Sequence, residues 1–76
     1  MKNVRMLVNY SDTQYELKFY IFDFVVGIEM RKILNGIYRG DVISTKVFEK
    51  NDFVENKLHY FDCNNNFDEL KNAVLC

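Results

Sequence analysis

The stretch Phe19–Ile28 reads FYIFDFVVGI, and it constrains how the rest of the chain can fold. Its apolar side chains fall on both alternating faces, whereas a half-exposed strand keeps one face polar. Asp23 interrupts the run, and crossing a bilayer requires about 20 consecutive apolar residues. The stretch must therefore be buried on two sides, or bury one side against another element or molecule.

Asp23 divides this stretch into the end of one element and the start of the next. Before it, residues Asn3–Tyr10 and Thr13–Phe22 alternate with period two, which predicts a hairpin of two strands. After it, apolar residues recur at helical spacing, which predicts an amphipathic helix with Asp23 as its N-cap and Gly36 or Gly40 as its C-cap. The apolar stripe of this helix comprises Val26, Met30, Ile33, Leu34 and Ile37.

The pair Asn35-Gly36 supports an alternative interpretation of the same residues. Asn-Gly is the strongest two-residue signal for a hairpin turn, so residues 23–37 could instead lead into a further strand. The residues before it, Arg31–Leu34, do not alternate cleanly between polar and apolar. This irregular flank favours the helix.

The second half of the chain predicts another hairpin and a terminal helix. Residues Asp41–Glu49 are rich in β-branched side chains, Lys50–Asp52 read as a turn, and Phe53–Asp62 alternate as a strand. Asn66 and Glu69 have the spacing of a capping box, ahead of the apolar residues of a short helix. Those apolar residues are Phe67, Leu70, Ala73 and Val74.

Together these elements predict one α+β domain spanning residues 1–76. The order is ββαββα, and such an order packs as a four-stranded, mostly antiparallel sheet with two helices on one face. A chain of 76 residues buries only about 60% of its unfolded surface. With 49% hydrophobic and 16% aromatic residues, this chain holds more apolar material than so small a core can cover. The excess indicates an interface.

Charge and cysteine content narrow the classes of function and location. Ten basic and eleven acidic residues give a net charge of −1, which argues against non-specific nucleic-acid binding. The first ten residues lack the apolar core of a signal peptide, and no segment is long enough to span a membrane. We therefore expect a cytoplasmic protein in which Cys63 and Cys76 are reduced thiols.

The titratable residues form no motif that predicts catalysis or a cofactor. His59 and Cys63 are one loose pair of zinc-ligand types, and even with Cys76 the usual second short-spaced pair is missing. A small hydrolase built on His59 and neighbouring carboxylates is a third hypothesis, with no reaction specified. We expect no metal, no cofactor and no enzymatic activity.

The apolar surplus favours a non-enzymatic protein that binds another protein. An outward sheet face is expected to contact a host protein or a second copy, because interfaces favour aromatic residues at their centres. The absence of Pro and Trp and the abundance of Asn, Lys, Ile and Phe reflect AT-rich codons, so a phage or mobile-element protein that inhibits a host factor is a specific form of this hypothesis. The residues expected on that face are Tyr20, Phe22, Phe53 and Phe61.

The alternative is a small nucleic-acid-binding regulatory domain. Sheets that bind single strands stack bases on aromatic rings and hold phosphates with basic side chains. The candidates are the cations Arg39, Lys46, Lys50 and Lys57, beside the aromatic residues Tyr38, Phe48 and Tyr60.

Overall fold

A computed structural model describes residues 1–75, apart from the Tyr38 side chain. Four strands follow one another along the chain and form one antiparallel sheet in the order β1-β2-β3-β4. Two helical segments follow the sheet, which confirms the predicted α+β class and four-stranded sheet. The strands are β1 Lys2–Tyr10, β2 Thr13–Ile21, β3 Val25–Leu34 and β4 Tyr38–Glu49.

The first hairpin forms as predicted. Ser11 and Asp12 connect β1 to β2 with φ of 46° and 65°, a left-handed conformation that Asp tolerates better than most residues. Val4 lies opposite Phe19 and Met6 opposite Leu17, and all four side chains are buried on the same face of the sheet. We call this the core face, and the opposite one the outer face.

The predicted helix over residues 23–37 is wrong, because these residues form β3 and the turn that follows it. Asn35 and Gly36 have φ of 56° and 73°, the pair of left-handed residues that a two-residue hairpin turn requires. Val26 and Met30 are four residues apart, a spacing that fits one face of a strand as well as one side of a helix. Asp23 lies in the β2–β3 connection and caps no helix.

The predicted strand Phe53–Asp62 is also wrong, and the predicted order ββαββα is therefore replaced by four strands followed by helices. The first helical segment comprises α1 Lys50–Asp52, a π-helix Phe53–Lys57 and a 3₁₀-helix Leu58–Phe61. Its buried residues Phe53 and Leu58 are five positions apart. Strand alternation would place them on opposite faces, whereas the wide π turn brings both towards the sheet.

The predicted C-terminal helix is confirmed as α2, Phe67–Leu75. Leu70, Ala73 and Val74 are its buried residues, and α2 packs on β1 and β2. The Asn66 amide nitrogen donates to the carbonyl of Arg5 at 3.0 Å, which attaches the start of α2 to β1. The core therefore lies between the core face of the sheet and the two helical segments, as predicted for helices on one face.

Four aromatic rings hold the first helical segment against the sheet. The Phe53 ring lies 6.1 Å from those of Phe19, Phe48 and Phe61, and the Phe61 ring is 5.2 Å from Phe19. Aromatic pairs at these separations stabilise a core beyond the area they bury. This aromatic cluster covers Phe48 near the end of β4. It leaves uncovered the β2–β3 connection and the part of β4 that precedes Phe48.

Candidate interaction surfaces

The β2–β3 connection, residues 22–24, is held in place by backbone hydrogen bonds. The Phe22 N–H donates to the Val25 carbonyl at 3.0 Å, which closes the turn. The Lys50 N–H donates to the Phe24 carbonyl at 2.8 Å, which ties the turn to the start of the first helical segment. The backbone of Phe24 is therefore held at its carbonyl and lies within a closed turn.

The side chains of this connection point away from the protein. Phe24 is 84% exposed, Phe22 is 43% exposed and Val25 is 36% exposed. Met1, which is 74% exposed, lines the same surface recess because β1 pairs with the end of β2. We call Met1, Phe22, Phe24 and Val25 the aromatic tip. Single exposed apolar residues are ordinary, whereas a contiguous group of this kind is a candidate contact site.

The structure divides the four predicted partner-binding residues between different places. Phe22 belongs to the aromatic tip, whereas Tyr20 is half-buried on the outer face. The Tyr20 hydroxyl donates to Glu29 Oε1, and Lys18 Nζ lies 4.7 Å from its ring centroid. Tyr20 is therefore engaged within the chain.

Phe53 and Phe61 do not lie on an outward sheet face, and that expectation was wrong. Both belong to the first helical segment, where Phe53 is 0% exposed and Phe61 is half-buried. They fill the core because the chain turns helical after β4 instead of returning as a strand. A partner cannot reach Phe53 without unfolding this segment.

The four predicted nucleic-acid-binding cations are also separated. Arg39 lies on the outer face, where its Nε is 3.0 Å from Oε2 of the buried Glu16. Lys50 lies beside the aromatic tip. Of the four cations, only Lys46 and Lys57 share a site. Together with Phe48 and Tyr60 they line one cleft on the core face. The Tyr38 side chain lies outside the described residues.

That cleft has a volume of about 230 Å³. It opens where the helical segments leave β3 and β4 uncovered, between the β4 residues and the 3₁₀ turn. Its floor and walls are mostly apolar, with ring faces from both the sheet and the first helical segment. We call it the lysine cleft, after Lys46 and Lys57.

The candidate metal ligands in the described residues do not come together. Across residues 1–75, no three His, Cys, Asp or Glu side chains converge on one point as metal ligands would. His59 and Cys63 are both exposed, and Cys76 lies outside the described residues, so the two reduced thiols stay a prediction. The helices within this part of the chain are all too short or too polar to span a bilayer.

Comparison with protein-family models, with curated protein sequences and with solved structures gives no significant match.

The sequence did not indicate Phe24 as a contact residue, although Phe24 lies within the apolar stretch Phe19–Ile28. A helix over residues 23–37 would have turned Phe24 onto a helix surface, whereas a turn directs it outwards. The signal that could have found it is the Asn35-Gly36 turn, since accepting it makes residues 25–34 a strand and residues 22–24 a tip.

Proposed function

We propose that this protein is a non-enzymatic binding protein that uses the aromatic tip to anchor a partner protein. The observation that carries the proposal is the combination at Phe24 of an 84% exposed ring with a carbonyl that accepts from the Lys50 N–H, in a turn closed by the Phe22–Val25 hydrogen bond. A large apolar side chain kept in water by a fixed backbone costs free energy in the isolated chain. That cost is recovered when the ring enters an apolar pocket.

The fixed backbone raises the value of this contact. Binding a mobile loop costs about 0.5–1.5 kcal/mol for each side chain that must be ordered, and a pre-formed turn avoids part of that cost. Full burial of a phenylalanine side chain contributes about 1.5–3 kcal/mol. Burial of Phe24 alone would therefore reach the range of a dominant interface residue, which begins at about 2 kcal/mol.

The chemistry around the tip suggests the form of the partner site. The exposed carboxylates of Asp23 and Glu49 lie beside Phe24, and Lys50 is half-buried next to them. A complementary site would therefore be an apolar pocket with basic side chains at its rim. Such a pocket would belong either to a second copy of the chain or to a host protein.

The more specific hypothesis is that the protein is a phage or mobile-element accessory protein that inhibits a host factor in the cytoplasm. It is supported by the residue usage of AT-rich genes, which does not concern the fold. Blocking a partner requires only a contact surface, and a domain with one pre-formed aromatic tip meets that requirement.

The test places a photo-reactive residue at the tip. The Phe24→p-benzoylphenylalanine variant is produced in the host cells and irradiated there. It is expected to give crosslinked adducts. Ile37→p-benzoylphenylalanine is the matched control, because Ile37 is equally exposed, at 79%, but lies in the β3–β4 turn at the opposite end of the sheet.

An adduct at twice the 9.1 kDa mass identifies a second copy as the partner, and a heavier adduct identified by mass spectrometry gives a host protein. In either case, Phe22→Ala in the same chain should reduce the yield at position 24. Equal adduct patterns from positions 24 and 37 would show that the tip is not a binding site.

The nucleic-acid alternative keeps only Lys46 and Lys57 as neighbouring cations beside Phe48 and Tyr60. Arg39 is engaged with Glu16 on the opposite face of the sheet, which weakens this alternative. Titration of mixed single-stranded oligonucleotides at low and high salt tests it, because phosphate binding must weaken as salt rises.

A further inference from the structure

The lysine cleft places polar side chains on a face that is otherwise apolar. On β4, Phe48, Lys46 and Ser44 lie opposite Val26, Ile28 and Met30, the residues with which β3 contributes to the core face. Phe48 packs on the aromatic cluster, whereas Lys46 and Ser44 stand beyond the edge of the first helical segment. The sheet therefore continues past its own helical cover, and an ammonium group lies at the exposed end.

The walls of the cleft are apolar and partly aromatic. Leu17, Ile28 and Met30 form its floor, and the rings of Phe53 and Phe61 close its inner end. Tyr10 and Tyr60 stand at the opposite sides of its mouth and are largely exposed. An unfilled recess of this type favours an apolar ligand, because filling it removes hydrocarbon surface from water.

The charge in the cleft is uniformly positive. Lys46 and Lys57 both line it, and no Asp or Glu is among the lining residues. Within the described part of the chain, neither lysine has a carboxylate within ion-pair distance. Lys57 Nζ lies 5.9 Å from the Phe48 ring centroid, so this ammonium group is held over the apolar wall.

We propose that the lysine cleft binds a small organic anion with an apolar ring, of the aryl carboxylate class. The ring would enter between the floor and the half-buried rings of Phe48 and Phe61, where aromatic contacts add to the burial of surface. The carboxylate would meet the ammonium groups of Lys46 and Lys57 at the mouth, with charge-assisted hydrogen bonds.

The volume sets the size of this ligand. A dry cavity of about 150 Å³ is enough for benzene, and pockets for drug-sized ligands begin at about 300 Å³. At about 230 Å³, the lysine cleft fits one or two fused rings with a short acidic group. A nucleotide is a poorer fit, because its polar ribose would have to be accommodated among lining residues that are mostly apolar.

The experiment titrates 2-naphthoate into the uniformly ¹⁵N-labelled full chain and follows amide shifts by NMR. We expect shifts at Ser44, Lys46, Phe48 and Lys57, and none at the aromatic tip. The neutral analogue 2-naphthamide has the same rings without the charge, and it should bind about tenfold more weakly.

Two lysine variants separate the charge from the fold. Lys46→Met and Lys57→Met keep an apolar stem of similar length, and each should lower the affinity for 2-naphthoate threefold to tenfold while leaving 2-naphthamide binding unchanged. Lys50→Met is the matched control and should change neither, because Lys50 lies outside the cleft. Phe24→Ala should also leave both affinities unchanged, so this proposal and the function proposed for the tip fail independently.

The proposal is overturned if 2-naphthoate and 2-naphthamide bind equally, or if Lys50→Met weakens binding as much as Lys46→Met. Amide shifts confined to residues 22–25 would overturn it as well, since the ligand would then be on the aromatic tip. Adenosine monophosphate serves as a competitor, and tighter binding of this nucleotide than of 2-naphthoate would exclude the aryl carboxylate class.

Discussion

Replacing Phe53 tests whether the chain after β4 is a packed helical segment. Phe53 is 0% exposed and its ring lies 6.1 Å from those of Phe19, Phe48 and Phe61. Removing a buried phenylalanine side chain costs about 3–5 kcal/mol, since the contacts are lost and a cavity is left. We expect Phe53→Ala to destabilise the protein by that amount.

This cost is a large share of the total stability. A domain of 76 residues is stabilised by about 4–11 kcal/mol. For domains of this size, 1 kcal/mol corresponds to about 4–8 °C in Tm, so a loss of about 3 kcal/mol lowers Tm by about 12–24 °C. Far-UV circular dichroism with heat and with urea measures both quantities.

Phe24→Ala is the matched control, because it removes the same side chain from an 84% exposed position. Its effect on the free energy of unfolding should stay within about 0.5 kcal/mol. If residues 53–62 were instead a strand with Phe53 facing solvent, the two variants would behave alike. A loss below about 1 kcal/mol for Phe53→Ala would therefore refute the packing described for the first helical segment.

Two further predictions concern the β3–β4 turn and the outer face. Gly36→Ala should destabilise the protein by about 1–2 kcal/mol in urea unfolding, because φ at Gly36 is 73° and an added Cβ would gain no contact. Gly27→Ala is the control. A similar loss of stability in Gly27→Ala would show that the conformation of the turn is not the cause. Arg39→Met should cost about 1–3 kcal/mol, since it leaves the buried Glu16 carboxylate without its partner, and adding Glu16→Met should recover part of that loss. An Arg39→Met variant as stable as the wild type would mean that the ion pair is not maintained in solution.

The first hairpin and α2 could be predicted because their patterns allow one interpretation. In β1, Val4, Met6 and Val8 stand at every second position, and only a strand puts all three on one face. Leu7 is the one apolar residue between them, and it is 40% exposed on the outer face. In α2, Leu70, Ala73 and Val74 lie three and four positions apart, which only a helix brings together. Local periodicity was sufficient in both places.

Residues 23–37 could not be assigned by periodicity, since Val26 and Met30 are four positions apart and share a face in a helix and in a strand alike. Pairing with β2 makes this segment a strand, because the edge of β2 from Tyr15 to Ile21 forms an antiparallel ladder with β3. The local signal that agrees with this pairing is Asn35-Gly36, whereas the irregular flank Arg31–Leu34 opposes it.

The first helical segment could not be predicted for a different reason. Phe53, Tyr60 and Phe61 have high strand propensity, yet they are recruited into a π and a 3₁₀ turn. The contact that favours this arrangement is made with Phe19, more than 30 residues earlier in the chain. Only tertiary packing brings these rings together, and a contact between residues so far apart in the chain cannot be inferred from a short window of sequence.

The candidate sites depend on those same two segments. The aromatic tip exists because β2 and β3 meet in a turn at residues 22–24, and the lysine cleft exists because the first helical segment covers Phe48 but stops short of Ser44. The sequence indicated Phe22 at the tip, and Lys46, Lys57, Phe48 and Tyr60 at the cleft, but not Phe24. Their grouping required the fold.

The docking of α2 on β1 imposes an order of events during synthesis. Asn66 and Arg5, which join the two elements, are 61 residues apart in the chain. Ribosomes add about 5–20 residues per second, so the apolar face of β1 waits about 3–12 s for its cover. The strands can meanwhile pair with their neighbours through short turns, a process that takes microseconds. We therefore expect the nascent sheet to form early and to spend seconds with Val4, Met6 and Val8 uncovered, which makes it a client for chaperones in that interval.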